Sequence, residues 1–213
     1  MAFKIEKIKL PSRLEAYDIF NTPVENEDFI TSCIIRDGSI ENQVAEHVEF
    51  KQVVFKNVIF NEVVFKSLNL TDVRFENCDL SNVNFHGAIL QRVEIVNSKI
   101  IGIDLSESGL NNVSIEACNG RYARIQWANL TKVSVRECDL SEANFHNSEF
   151  ISIEFLHSNL QKAQLYGIHL RGIDLRSCEI EDIGVRMENI RGAIVSPIQA
   201  VSLARLIGLV VEP

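Results

Sequence analysis

Large apolar residues recur at every fifth position along most of this chain. Between residues 50 and 185, 27 of the 28 positions that are multiples of five hold Phe, Leu, Ile or Val, and the exception is Gly120. The residue two before each of these centres is restricted as well, to Val, Ile, Ala, Cys, Ser and once Leu68. A period of five matches neither the 3.6 residues of an α-helix nor the simple alternation of a strand.

Within each group of five, the pattern predicts three extended residues followed by a corner. A small residue in slot 1 and a large centre in slot 3 flank a polar slot 2, which is the alternation of a short strand. Slots 4 and 5 are rich in Asn, Asp, Ser, Glu and Gly, the residues that favour turns. Several such sides can close into a coil with slots 1 and 3 pointing inward.

A longer repeat of twenty residues predicts four sides per coil. The slot-1 residues from Val53 to Ile173 are β-branched at every step of twenty, and Cys78, Cys118, Cys138 and Cys178 share a second column. Stacked at the spacing of β-strands, about 4.8 Å, seven such coils would give a rod on the order of 35 Å long. Cysteines in one column are expected to be small interior residues rather than disulfides or zinc ligands.

The sequence predicts one elongated domain with two end pieces. Residues 48–187 form the repeat, 1–47 a lead-in and atypical first coil, and 188–213 a C-terminal helix and tail. Residues 3–10 alternate as a short strand would. Ile30, Ile35 and Ile40 keep the rhythm faintly, although Asp28 and Gly38 are unsuited to an interior slot.

The C-terminal end carries the signals of a helix. Ser196 and Gln199 form a capping box around Pro197, and Gly208 ends the helix. A short apolar strand is expected after it, and the exposed tail should need a partner, most simply a second copy. The predicted dimerisation residues are Pro197, Ala200, Leu203, Leu206, Ile207, Leu209, Val210 and Val211.

These repeats resemble the pentapeptide-repeat family, whose pattern is Ala-Asp/Asn-Leu/Phe and two variable residues. Ala128-Asn129-Leu130, Ala143-Asn144-Phe145 and Cys138-Asp139-Leu140-Ser141 match it closely. The resemblance implies an all-β fold, a right-handed quadrilateral β-helix of about seven to eight coils. The predicted core comprises the four cysteines above and Phe50, Phe55, Phe60, Phe65, Phe75, Phe85, Phe145, Phe150 and Phe155.

Two features resemble the quinolone-resistance (Qnr-type) members of that family. One is the tail that leads from Gln199-Ala200 to Leu209-Val210-Val211, and the other is the small-centred pentad around Gly120. The resemblance implies a homodimer, joined tail to tail, that binds DNA gyrase and topoisomerase IV as a DNA mimic. The repeat here has no inserted loop and in this resembles the loop-free chromosomal members. Binding to gyrase is therefore a firmer expectation than protection of gyrase from the drug.

The charge is compatible with such a mimic. A net charge of −8 argues against a basic protein that binds nucleic acid directly. Carboxylates in the outward slots could face the basic groove that normally holds DNA, although most surface charges only solvate a face. The candidates are Asp79, Glu94, Glu116, Glu137, Asp139, Glu142, Glu149, Glu154, Asp174, Glu179, Glu181 and Asp182. The competing hypothesis is a structural scaffold for some other protein partner.

Catalysis is not expected from this sequence. We find no phosphate loop and no set of nucleophile, base and orienting residue. His86 and His146 should lie roughly 14 Å apart, too far to share a metal, so we expect no cofactor. The sequence shows neither a secretion signal nor an apolar run long enough for a membrane span, and we expect a soluble cytoplasmic protein.

Overall fold

A computed structural model of the protein describes residues 4–206 and 208–212. The chain forms a parallel β-solenoid in which each coil pairs with the next at a register of twenty residues, for example Phe29 with Glu49 and Val53 with Cys33. The four-sided coil predicted from the repeat is therefore confirmed. We number its sides one to four after the centres Phe50, Phe55, Phe60 and Phe65 of the coil that begins at Val48.

Most regular strands lie on sides one and two. A nine-stranded sheet has the order β1-β2-β4-β6-β7-β8-β9-β10, β11 also pairs with β9, and β3 and β5 pair separately. The strands are β1 (Glu15–Ala16), β2 (Phe29–Glu41), β3 (Val44–Glu46), β4 (Glu49–Asn61), β5 (Val64–Lys66), β6 (Asn69–Glu76), β7 (Ile89–Val96), β8 (Gly109–Glu116), β9 (Asn129–Arg136), β10 (Glu149–Phe150) and β11 (Ile153–Leu156). The helices are α1 (Met187–Ile190) and α2 (Pro197–Leu206).

Sides three and four are built from turns because of their slot-2 residues. From Asp79 onward, most of these are Asn or Asp, and their side-chain oxygens accept a hydrogen bond from the backbone N–H two residues later, as in Asp79 to Ser81 at 3.1 Å and Asn144 to His146 at 3.0 Å. This local bond shapes the corner. Coil-to-coil pairing on these sides then reduces to single bridges such as Asn119 to Asp139.

Nearly every corner holds a residue with a left-handed backbone. From Glu27 to Asp182 the slot-5 residues have φ between 49° and 80°, with two exceptions, Ser152 and Ser177. This conformation costs least in Gly, Asn and Asp, which explains their frequency in slot 5.

The interior is filled by the predicted centres. Eight of the nine predicted phenylalanines and the four cysteines of the repeat are buried, while Phe150 is half-buried. The rings of Phe55 and Phe75 stack with centroids 4.9 Å apart. Gly120 leaves no void, because a Cβ there would lie 2.7 Å from Leu140 and 3.1 Å from Ile100.

The N-terminal region differs from the expectation in one respect. Residues 28–47 supply a coil in register, and the ring of Phe20 covers the side-chain-free Gly38. The predicted strand over residues 3–10 is wrong, since the described residues 4–10 form no strand. They cross the coils instead: the amide of Glu6 donates to Asn112 and that of Lys9 to Asp72, both at 2.9 Å. We call residues 4–10 the N-terminal strap.

The C-terminal end is capped largely as predicted. Ser196 and Gln199 form the capping box, with N–H to side-chain distances of 2.8 and 3.3 Å. The side-chain amide of Gln199 also donates to the carbonyls of Leu175 and Cys178, at 2.8 Å each, which fixes the helix over the last coil. The helix ends before Gly208, whose φ is 84°.

The predicted strand after this helix is wrong, because residues 209–212 form no strand within a single chain. None of the helices in the described part of the chain is long and apolar enough to cross a membrane.

Candidate partner-binding surface

The predicted acidic columns exist, but their members are interrupted by other residues. Asp79 is followed on side three by Lys99, Asn119, Asp139, Asn159 and Glu179, each bridged to the next coil through the backbone. The solenoid therefore aligns the candidate carboxylates as the sequence predicts. It also places a lysine and two asparagines between them.

Four of the twelve candidate carboxylates are neutralised by ion pairs. Asp79 pairs with Lys99 at 3.3 Å, Glu94 with Arg74 at 2.9 Å, Glu142 with Arg121 at 3.6 Å and Asp174 with Arg176 at 2.7 Å. The other eight have no ion-pair partner among the described residues. These are Glu116, Glu137, Asp139, Glu149, Glu154, Glu179, Glu181 and Asp182.

Free and paired carboxylates are distributed unevenly along the rod. In residues 48–127, five of nine acidic side chains pair with Lys or Arg among the described residues, a sixth, Glu107, lies 3.8 Å from His86, and most of these contacts join neighbouring coils, as Lys56 to Glu76 at 2.8 Å does. In residues 128–187, only Glu142 and Asp174 of nine do. The C-terminal coils therefore carry most of the carboxylates that a partner could use.

The densest group of carboxylates lies on side three of the last coils. It consists of Asp139, Glu142, Glu179, Glu181 and Asp182, and we call it the C-terminal acidic patch. Lys162 is the basic residue within it, in the same corner column as Glu142 and Asp182 and between them. Four of the carboxylates, Glu142, Glu179, Glu181 and Asp182, are exposed, and Gln161 donates to Glu181 at 3.0 Å.

The paired carboxylates remain ionised at neutral pH. Burial raises the pKa of Asp79, but hydrogen bonds from Ser81 and Lys99 outweigh it and leave this pKa below its usual value. The pKa of Asp174 is lowered by its hydrogen bonds from Arg176. A carboxylate that the sequence analysis did not single out, Asp104, likewise has a lowered pKa, since Ser106 and Arg124 outweigh the effect of burial.

The tail presents an apolar surface beyond the capped core. Among the predicted dimerisation residues, Pro197, Ala200, Leu206, Leu209 and Val210 are exposed, whereas Val211 is half-buried and Ile207 lies outside the described residues. Leu203 is half-buried and packs against the core of its own chain, so it is part of the cap. Ile198 and Val201 are exposed on the helix and were not predicted.

The buried cysteines have a structural role that the sequence analysis missed. Their column also contains Ser98 and Ser158, whose hydroxyls accept the backbone N–H of the preceding cysteine: the N–H of Cys78 donates to Ser98 Oγ at 3.0 Å and that of Cys138 to Ser158 Oγ at 3.2 Å. Burial raises the pKa of Cys33 and of Cys78 to about 11. These thiols are therefore protonated and poorly reactive at neutral pH.

The histidines and aromatic residues that the structure describes form no metal site. His86 approaches Glu107 at 3.8 Å, and no group of three potential ligands occurs among the described residues. Instead His146 lies between Trp127 and Tyr166, with ring centroids 6.3 and 6.1 Å away. Trp127 is 59% exposed, so these three rings form a surface ridge. The sequence signal was the step of about twenty residues between them.

Comparisons with known proteins agree with the repeat architecture. A model described as "Pentapeptide repeat region" matches residues 30–105 and 68–145, and one described as "Pentapeptide repeats (8 copies)" matches 138–176. The uncharacterized protein YisX of Bacillus subtilis (strain 168) is 39% identical over 207 residues, which are 97% of either chain.

The solved structures that match this chain are more distant in sequence. A trypsin-treated form of QnrB1, a plasmid-mediated fluoroquinolone resistance protein, is 15% identical, with 88% of this chain and 99% of that chain covered and a TM-score of 0.38. The pentapeptide repeat protein Rfr23 from the cyanobacterium Cyanothece 51142 is also 15% identical, with 81% and 91% covered and a TM-score of 0.16. The assignment rests on the family models and on the Bacillus relative. By these matches and by its four-sided solenoid, this chain belongs to the pentapeptide-repeat family.

Proposed function

We propose that the protein binds DNA gyrase and topoisomerase IV by mimicking DNA, and that its C-terminal coils make the contact. The observation that carries this proposal is the set of seven carboxylates in residues 128–187 that have no ion-pair partner among the described residues. Three coils rise about 14 Å, so these seven charges, on sides one, two and three, average about one per 2 Å of axis before the unpaired Lys132, Arg136, Lys162 and Arg171 of the same coils are subtracted. Duplex DNA carries one phosphate charge per about 1.7 Å.

The arrangement of the charges adds to this argument. Of the basic residues in these coils without an ion-pair partner among the described residues, Lys132, Arg136 and Arg171 lie on sides one and two or at the corner between them, and Lys162 alone lies within the C-terminal acidic patch on side three. A groove lined by Lys and Arg would meet that side without strong repulsion. Such complementarity also accelerates association at low ionic strength.

Dimerisation through the C-terminal tail is the second part of the proposal. Leu206, Leu209 and Val210 leave apolar surface exposed next to a helix that is fixed to its own rod. A two-fold contact between two such tails would cover this surface. The dimer would carry a charge of about −16 on a rod twice as long, more like a segment of duplex DNA.

A supercoiling assay with purified gyrase, with and without a fluoroquinolone, tests the proposed partner. We expect micromolar protein to reduce supercoiling or the trapping of cleaved DNA, and no effect at that concentration would contradict the proposal. The variant Asp139→Asn/Glu179→Gln/Glu181→Gln should lose at least tenfold in potency, since it removes three charges from the acidic patch. The matched control Glu46→Gln/Glu49→Gln/Glu62→Gln removes as many unpaired charges from the first coils and should stay near wild type.

Removing residues 197–213 tests the dimer. We expect the truncated protein to elute as a monomer or to aggregate in size-exclusion chromatography with light scattering, because the interface and the cap are both lost. A soluble dimer of unchanged mass would refute a tail-mediated interface. The point variant Val210→Glu keeps the helix and the cap, and it separates loss of dimerisation from loss of folding.

A scaffold for a different protein partner remains the second candidate function, and the ridge of Trp127, His146 and Tyr166 favours it. Exposed Trp and Tyr side chains are typical anchors of protein interfaces. This ridge lies at the corner between sides four and one, away from the acidic patch on side three. If Trp127→Ala abolishes an effect on gyrase while the triple acidic variant leaves it intact, contact through the ridge replaces DNA mimicry.

A further inference from the structure

The backbone ladder between successive coils is interrupted at one place. β11 (Ile153–Leu156) pairs with β9 along one edge. Along its other edge, no backbone hydrogen bond between described residues joins 150–156 to the next coil at 170–176. In the preceding coils, the same positions on sides one and two form continuous parallel pairs, as β8 does with β9.

The interruption is a groove between two coils, closed at both ends, rather than a frayed terminus. We call this groove the slot; it is not one of the numbered slots of a pentad. At one corner the N–H of Asn147 donates to the carbonyl of Tyr166 at 2.8 Å, and at the other that of His157 donates to Ser177 Oγ at 3.2 Å. Pairing resumes beyond it, with a bridge between Asp174 and Ile194. The two corner residues without a left-handed φ, Ser152 and Ser177, both line this slot.

The slot has the properties of a strand acceptor. It encloses about 1060 Å³ between walls that include Phe150, Ile153 and Ile173. Ile151 at its mouth is 57% exposed and adds apolar surface there. An unpaired strand edge beside apolar side chains is a template for an added strand.

The C-terminal tail likewise has backbone groups without hydrogen bonds to described residues. After the N–H of Leu209 donates to the carbonyl of Ala204, residues 210–212 make no backbone hydrogen bond to any described residue. Val210 is 87% exposed, and the β-branched valines 210 and 211 favour an extended conformation. Glu212 would bring a negative charge to Arg171 in the slot, which has no ion-pair partner among the described residues.

We propose that residues 209–212 of a second copy enter this slot as an added β-strand. The inference rests on the proposed tail-mediated dimer and specifies where each tail binds. Four extended residues span about 13 Å, and the free edge offers seven unpaired residues, 150–156, which turn the corner at Ser152, so the slot has enough unpaired positions for the tail. The added strand would satisfy the free N–H and C=O groups of both copies and bury Val210 beside Ile151.

Cysteine cross-linking between two full-length chains tests this placement. A chain with Ser152→Cys and a longer affinity tag is co-expressed with an untagged Val210→Cys chain and oxidised mildly, and the mass of the assembly is measured by light scattering. Because all five native cysteines are buried, the introduced thiols should react selectively. We expect a mixed cross-linked species of distinct mass. A Lys162→Cys chain is the matched control, since residue 162 is exposed at the diagonally opposite corner of the same coil and should not cross-link.

Each alternative outcome has its own meaning. A dimer that gives no mixed cross-link would overturn the slot as the binding site and leave tail-mediated dimerisation standing. A monomer would overturn both. If a single chain with both substitutions forms an internal disulfide as a monomer, the chain's own tail occupies the slot. An independent check is Ile151→Glu, which should raise the dimer dissociation constant at least tenfold while the thermal unfolding of the rod is retained.

Discussion

The first four coils of the repeat and the last three are built from the same pentads but stabilised differently. In residues 48–127, stacked phenylalanines fill the interior, continuous strands pair on sides one and two, and ion pairs link neighbouring coils. The N-terminal strap also crosses these coils. In residues 128–187, the last two strands have only two and four residues, most carboxylates have no ion-pair partner among the described residues, and the ladder opens once.

The difference shows that one repeat can serve two purposes. Outward slots tolerate any polar residue, so the early coils use them for contacts within the chain and the late coils leave them free. Inter-coil ion pairs add little each when exposed, but the pair of Asp72 and Arg92 is mostly buried. A surface of unpaired carboxylates adds repulsion rather than stability, which is what a partner-binding region requires.

The largest effect is expected from a charge in the interior. Phe85 is buried and its ring stacks parallel to Phe65, so Phe85→Asp places an unpaired carboxylate among apolar residues. Such a change should cost more than about 4 kcal/mol and abolish cooperative unfolding. Ile151→Asp is the control, because the slot already exposes that side chain. Circular dichroism melting distinguishes them, and native-like melting of Phe85→Asp would disprove an inward-facing centre.

The sequence predicted the repeat better than its exceptions. A period of twenty determines which residues share a column, so the coil and the buried centres could be derived from the sequence. Ion pairs such as Arg74 with Glu94 could also be predicted, by looking for opposite charges twenty residues apart. The strap could not be predicted, because residues 4–10 lack the five-residue pattern and their contacts depend on tertiary structure. The slot has no sequence signal either, since Ser152 and Ser177 are ordinary corner residues.

An intermediate effect is expected from the buried ion pair of the early coils. The carboxylate of Asp72 accepts two hydrogen bonds from Arg92, at 2.6 and 2.8 Å, and one from the backbone N–H of Lys9 in the strap, at 2.9 Å. Asp72→Asn leaves Arg92 without a counter-charge and should cost about 2–4 kcal/mol in the free energy of unfolding, measured by urea titration. Asp174→Asn, which breaks an exposed pair of the late coils, should leave the urea midpoint unchanged. Equal losses would show that the two regions are stabilised alike.

The lowered pKa of Asp72 determines how the stability difference between wild type and Asp72→Asn changes with pH. Burial raises the pKa of Asp72, but the bonds from Arg92 and Lys9 outweigh it, and its pKa in the folded state is lowered. The stability it contributes is therefore fully present above the unfolded-state pKa of about 3.9 and is lost as the pH falls through the lower folded-state value. The difference between wild type and Asp72→Asn should shrink below about pH 4. A difference that stays constant down to pH 2 would contradict the role of the ionised carboxylate.

The smallest effect on stability is expected in the C-terminal acidic patch, where substitutions should weaken partner binding most. Asp139→Asn keeps the side-chain oxygen that accepts the amide of Ser141, and Glu179 and Glu181 are exposed and have no ion-pair partner among the described residues. Neutralising all three should change the unfolding free energy by less than about 0.5 kcal/mol, and slightly upward at low salt because repulsion is relieved. Urea titrations at two ionic strengths measure this. A clear loss of stability would mean that these carboxylates stabilise the rod, and the contrast between the two regions would then have to be explained by packing alone.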